Sequence, residues 1–128
     1  IAVTADDRTL IVAETMTRSL WAYDITTPGV VHNKRLWAKM PNDLGLGPDG
    51  MDFDEEGYLL VAHWGGAAIE VYDPQGHWVD GVITPFAAPS NVHFGGLDGQ
   101  WVYVTEHTNN ALWKFHWVRR GQPQYCER

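Results

Sequence analysis

The chain has 128 residues, a formal net charge of −7, 45% hydrophobic residues and seven tryptophans. That apolar content excludes a disordered chain, and an acidic balance without a basic stripe argues against nucleic acid, which is bound through Lys and Arg against phosphates. No apolar run approaches the ~20 residues of a membrane span, and the one cysteine, Cys126, has no intrachain disulfide partner, a usage that leans toward the cytoplasm without fixing the compartment.

Residues 1–4 read as a short strand, closed by a polar turn at Asp6-Asp7-Arg8. Residues 10–14, 20–24 and 30–37 then alternate apolar and polar side chains and read as three more strands. The same order returns at 51–54, a turn at Glu55-Glu56-Gly57, then 59–63, 69–73 and 78–83. It returns again at 92–95, a turn at Asp98-Gly99, then 102–106, 112–116 and 116–119. Val12, Val61 and Val104 are separated by 49 and 43 residues, and Tyr23, Tyr72 and Phe115 by the same 49 and 43. Two landmarks with identical offsets mark a repeat. Periods of roughly 40–50 residues with several short strands per unit belong to propeller blades.

No stretch has helical periodicity. The chain is therefore expected to be all-β: a β-propeller of about three four-stranded blades, at approximately 1–40, 48–84 and 90–120, forming one partial propeller domain over 1–128. Propellers close with roughly 4–8 blades, and each blade buries its faces against two neighbours. Three blades leave the ring open. The expectation is half of a six-bladed ring, completed by a preceding half of the protein or by a second copy of the chain.

One end of such a ring gathers the loops that enter inner strands and the loops that follow second strands. Five polar clusters fall at those places. Pro48-Asp49-Gly50 and Ser90-Asn91 enter inner strands; Glu14-Thr15, His63-Trp64 and Glu106-His107 follow second strands. Asp49 leads this group, because Pro48 and Gly50 shape a close turn that can aim a carboxylate; capping of that turn is the alternative role. Asn91 could bind a ligand or cap its own turn. Trp64 offers a ring face for stacking and His63 a donor for hydroxyls; packing of the blade end is the alternative. Glu14, Glu106 and His107 complete the candidate substrate contacts. His93 lies on an inner strand with the channel as one possible outlook, whereas His32, His77 and His116 fall on outer strands. No nucleophile elbow, phosphate loop or protein-only zinc spacing is present.

The string Gly47-Pro48-Asp49-Gly50-Met51-Asp52-Phe53-Asp54, followed by Leu59-Leu60-Val61-Ala62-His63-Trp64-Gly65-Gly66, resembles a signature of the gluconolactonase, senescence-marker-protein and regucalcin family of β-propeller lactone hydrolases. The resemblance runs from Ile1 to about Trp117. It implies metal-dependent hydrolysis of a sugar-type lactone, with Asp49 as a metal ligand and as an acceptor for the proton of the attacking water. Asn91 matches a family position near the metal or a substrate hydroxyl. In that family a Glu of the first blade and an Asn of a Pro-Asn-Gly turn share the cation with this Asp. Only the Asp is found here, so this chain by itself is expected to be inactive. Oxygen ligands imply calcium foremost, with zinc, magnesium or manganese as alternatives. A noncatalytic propeller scaffold and a calcium-dependent phosphotriester hydrolase are the competing readings.

Overall fold

The computed structural model describes residues 1–124 and 126. The first antiparallel sheet contains β1 (Ala2–Val3), β2 (Thr9–Glu14), β3 (Ser19–Thr27) and β4 (Val30–Lys39), hydrogen-bonded in that order. The second contains β5 (Gly47–Phe53), β6 (Leu59–Trp64), β7 (Ala68–Tyr72) and β8 (Trp78–Ile83). The third contains β9 (Pro89–Gly95), β10 (Trp101–Glu106) and β11 (Leu112–His116). These are consecutive propeller blades. A 3-10 turn, Thr15–Thr17, joins β2 to β3. Among the described residues no helix is long and apolar enough to cross a membrane.

The repeat read from the sequence is a repeat of register. Val12 pairs with Trp21, Val61 with Glu70 and Val104 with Trp113; Leu10 pairs with Tyr23, Leu59 with Tyr72 and Val102 with Phe115. Side chains alternate across a strand, and β6 shows the consequence. Leu59 and Val61 join Ile11, Leu20, Met51, Phe53 and Tyr72 in the core between the first and second blades. Leu60 and Ala62 join Ile69, Val71, Val92, Phe94, Val102 and Val104 in the core between the second and third. The second blade is thus buried on both faces. Each fully buried Leu, Ile or Val contributes about 1.5–3 kcal/mol relative to exposure.

Two hairpins of the second blade, β5–β6 and β7–β8, close on aspartates. Asp54 Oδ1 accepts the backbone amides of Glu56 and Tyr58, both at 3.0 Å, and Gly57 takes φ +83°. Asp73 does the same for Gln75 and His77 at the next hairpin, 2.9 Å each. These side chains replace turn hydrogen bonds that a bare loop would lack.

The third blade departs from expectation. It has three strands, and 116–119 does not form a fourth. Instead Trp117 Nε1 and Arg119 Nε both reach Asp54 Oδ2, at 3.0 and 2.6 Å. The chain then runs along the end of β5: the Glu55 amide donates to Arg120 O at 2.8 Å and the Gln122 amide to Phe53 O at 2.9 Å. Gln122 Nε2 continues to Val3 O at 3.0 Å, tying this segment to the first blade. A charged partner on the neighbouring blade outcompetes one more sheet ladder.

Candidate active site

The inner strands surround a cavity of about 890 Å³, lined among others by Asp49, Asp52, Ser90, Asn91, His93 and Gln122. Asp49 does not stand in a free turn ahead of the strand. It lies within β5, where Pro48 pairs with His63 and Met51 with Val61, so β5 carries one extra residue between the two pairs. Such a bulge re-aims side chains. Strict alternation would send Asp49 and Asp52 to opposite faces; with the bulge, both line the cavity. The role of Gly50 is spatial, because a Cβ there would overlap Asn91 Oδ1. Asn91 therefore packs directly on the backbone beside Asp49.

Asp49 accepts no hydrogen bond from the described residues and has no basic side chain beside it. Partial burial pushes its carboxyl up from the ordinary range. Asp52 is more deeply set. Its Oδ2 pairs with His93 Nδ1 at 2.8 Å and accepts the Phe94 amide at 3.1 Å. Burial still outweighs these donors and raises its carboxyl. Asn91 Oδ1 accepts the amide of Val92 at 3.0 Å. Among the described residues no three His, Cys, Asp or Glu side chains cluster as a metal cage. Asp49 and Asn91 are oxygen donors suited to a hard cation, and an uncompensated carboxylate beside a neutral amide fits a share of such a site.

Of the five clusters, two line this cavity: Asp49 and Ser90-Asn91. His63 does not. It is fully buried, with Nδ1 2.8 Å from Glu70 Oε1 and Nε2 2.9 Å from Leu44 O. Strand parity explains the correction, because His63 shares a face with Val61 and Leu59 while Trp64 takes the other. Glu106 is also buried, and its carboxylate is taken by the amides of Thr108, Asn109 and Ala111 at 2.7–3.0 Å. It builds the loop rather than facing a ligand. Glu14 is exposed and accepts Trp21 Nε1 and Thr17 Oγ1, both at 2.6 Å. Trp64 and His107 meet across two blades, ring centroids 4.8 Å apart at 53°. His93 does face the cavity, while His77 and His116 sit exposed against Asp73 and Asp98. Asp52 went unnoticed in the sequence, since its visibility depends on the bulge.

The family model described as the SMP-30/gluconolactonase/LRE-like region matches residues 1–108. The chain belongs to this family. Diisopropyl-fluorophosphatase of Loligo vulgaris is 51% identical over 119 residues, covering 92% of this chain and 38% of that protein. Pentonolactonase of Haloferax volcanii is 34% identical over 104 residues, covering 80% of this chain and 35% of that protein. Among solved structures, a luciferin-regenerating enzyme superposes with a TM-score of 0.84 at 23% identity, over 94% of this chain and 45% of its own; at that identity the likeness speaks for the propeller fold. This member of the SMP-30/gluconolactonase/LRE-like family thus spans 38% and 35% of the length of the two named curated relatives and 45% of the solved one.

Proposed function

We propose that the protein carrying this chain is a metal-dependent hydrolase of a sugar-type lactone, and that Asp49 is its working carboxylate here. The observation that carries the reading is the state of Asp49: half-buried, unpaired and aimed into the central cavity. Membership in the family and the pentonolactonase relative point to lactones. The proposal includes the blade limits 1–40, 48–84 and 90–120, and further blades that close the ring, supplied by a longer form of the chain or by a second copy.

Asp49 and Asn91 would hold a divalent cation through oxygen, calcium foremost and zinc, magnesium or manganese in reserve. Such a cation polarises an ester carbonyl and acidifies water at neutral pH. Asp49 then has a second task. The carboxylate oxygen not engaged elsewhere would accept the proton of the attacking water. Asn91 Nδ2 is free to donate to a substrate hydroxyl. Pro48 O accepts Thr15 Oγ1 at 2.8 Å, so the first blade steadies the backbone before Asp49.

A second reading has its own support. The relative named diisopropyl-fluorophosphatase matches 92% of the chain, and the same carboxylate could serve attack on phosphorus. The test assays the natural full-length protein on gluconolactone and on a phosphotriester, stripped by chelator and reloaded with each cation. Metal-restored lactone hydrolysis, lowered about 10²–10⁴-fold in Asp49→Ala, is expected. Phosphotriester turnover alone would transfer the proposal to the second reading. No metal-dependent turnover of either substrate, or full activity in Asp49→Ala, would end it.

A further inference from the structure

The chemistry above leaves one buried ionisable pair unused: His63 and Glu70, both packed inside the second blade. Glu70 Oε1 faces His63 Nδ1 at 2.8 Å, and Glu70 Oε2 accepts Trp78 Nε1 at 2.8 Å. On the far side of the ring, His63 Nε2 meets Leu44 O at 2.9 Å. A carbonyl oxygen can only accept, so Nε2 carries a proton. A second proton must then lie between Nδ1 and Oε1, because a bare ring nitrogen and a carboxylate at that distance are two acceptors facing each other. The pair is complete only with both protons.

The same Leu44 oxygen accepts Arg18 Nη1 at 2.8 Å, and Arg18 Nη2 donates to the Gly45 carbonyl. The Leu46 amide donates to Trp64 O at 2.8 Å. Two blades therefore grip residues 44–48, the stretch that delivers Asp49. That stretch needs gripping. Gly45 and Gly47 take φ +55° and +137°, and a Cβ on either would strike neighbouring backbone. Glycine gives this path its freedom as well as its shape, so donors from outside must select one conformation.

We propose that Arg18 and the doubly protonated His63–Glu70 pair are positioning residues that clamp Leu44 O and thereby aim the Asp49 carboxylate into the cavity. This rests on the reading of Asp49 as the metal-binding carboxylate. Partners that orient metal ligands are worth about 10–100-fold in metal affinity or activity. The charged and titratable groups facing the pair are Arg18, across the Leu44 carbonyl, and Tyr72, whose phenol is held protonated mainly by burial and then by the Glu70 charge. Glu70→Gln is informative because its amide can itself donate to Nδ1 while its oxygen still accepts Trp78 Nε1. That variant keeps the clamp with one proton fewer.

The experiment uses the natural full-length protein with calcium as the probe. Amide exchange at Leu46, calcium titration calorimetry and His63 ring-nitrogen NMR are compared in wild type, Arg18→Met, His63→Leu and Glu70→Gln. Expected is a proton on Nε2 in wild type and in Glu70→Gln alike, with Nδ1 sharing a proton with Glu70 Oε1 in wild type and accepting from the amide in the variant. Exchange at Leu46 should rise about tenfold, and calcium affinity should fall about 10–100-fold, in Arg18→Met and His63→Leu. Glu70→Gln should stay within about threefold of wild type in both readouts. Should His63→Leu not fold, the surface variant Arg18→Met decides alone. Faster exchange with unchanged calcium affinity would overturn the positioning role, as would a wild-type His63 whose Nε2 carries no proton. A wild type that binds no calcium would instead remove the reading of Asp49, while exchange and NMR would still report the clamp.

Discussion

A carboxylate stands near each end of β5, and the surroundings treat the two in opposite ways. Asp54 is 1% exposed and fully answered: Arg119 and Trp117 on one oxygen, two backbone amides on the other. Asp49 sits half-buried with no donor beside it, and burial raises its carboxyl. One charge is neutralised where it stands and joins the second blade to the segment that leaves the third. The other waits for a partner from outside the described chain. A carboxylate shows its role through this contrast in satisfaction, more than through the turn that carries it.

The contrast can be broken most severely at Asp54. Asp54→Ala leaves the mostly buried Arg119 guanidinium with only the 3.6 Å Glu56 contact, strands an indole N–H and two amides, and should cost about 3 kcal/mol. Asp54→Asn should cost less, since its oxygen still accepts the backbone donors. Urea unfolding measures both, and a stability loss under about 0.5 kcal/mol in the alanine variant would contradict the assigned lock. Gly50→Ala comes next. Its Cβ must displace Asn91, and overpacking of this kind costs about 1–3 kcal/mol; the same melts, with calorimetry for metal, would show stability and affinity falling together.

The smallest effect concerns Asp52, which lies between these extremes. Its carboxyl is raised mainly by burial, so the protonated form favours the fold. That contribution is fully present below the ordinary value of 3.8 and is lost as pH rises through the higher folded value. Asp52→Asn should flatten this part of the stability profile, by less than about 1 kcal/mol. Urea midpoints measured from pH 3 to 7 in both proteins provide the comparison. A wild-type midpoint that climbs with pH across that window, relative to the variant, would show the opposite sign.

The blades were legible because strand alternation and the 49 and 43 residue offsets are local and repeated. Asp49 was legible through its motif. The rest depended on events that sequence spacing does not carry. The bulge between Pro48 and Met51 brings Asp52 to the cavity, and nothing in 48–52 announces the extra residue. Residues 116–119 have the pattern of a strand, yet Trp117 and Arg119 answer Asp54 more than sixty residues away. Glu106 resembles a solvated loop tip until the loop folds back and offers it four amide contacts. His63 could have been placed from parity alone, since adjacent strand residues face opposite ways.

The central claim is that Asp49 is left uncompensated in order to meet a cation. Thermal melts of the natural full-length protein and of Asp49→Asn, each with chelator and with excess calcium, test it directly. Without metal the variant should melt at or above wild type at neutral pH, because it removes a carboxylate that burial disfavours. With calcium at about a hundred times its dissociation constant, wild type should gain about 2.7 kcal/mol from this site, and the variant should lack that gain. Equal calcium shifts in the two proteins, or a metal-free variant clearly less stable than wild type, would contradict the account.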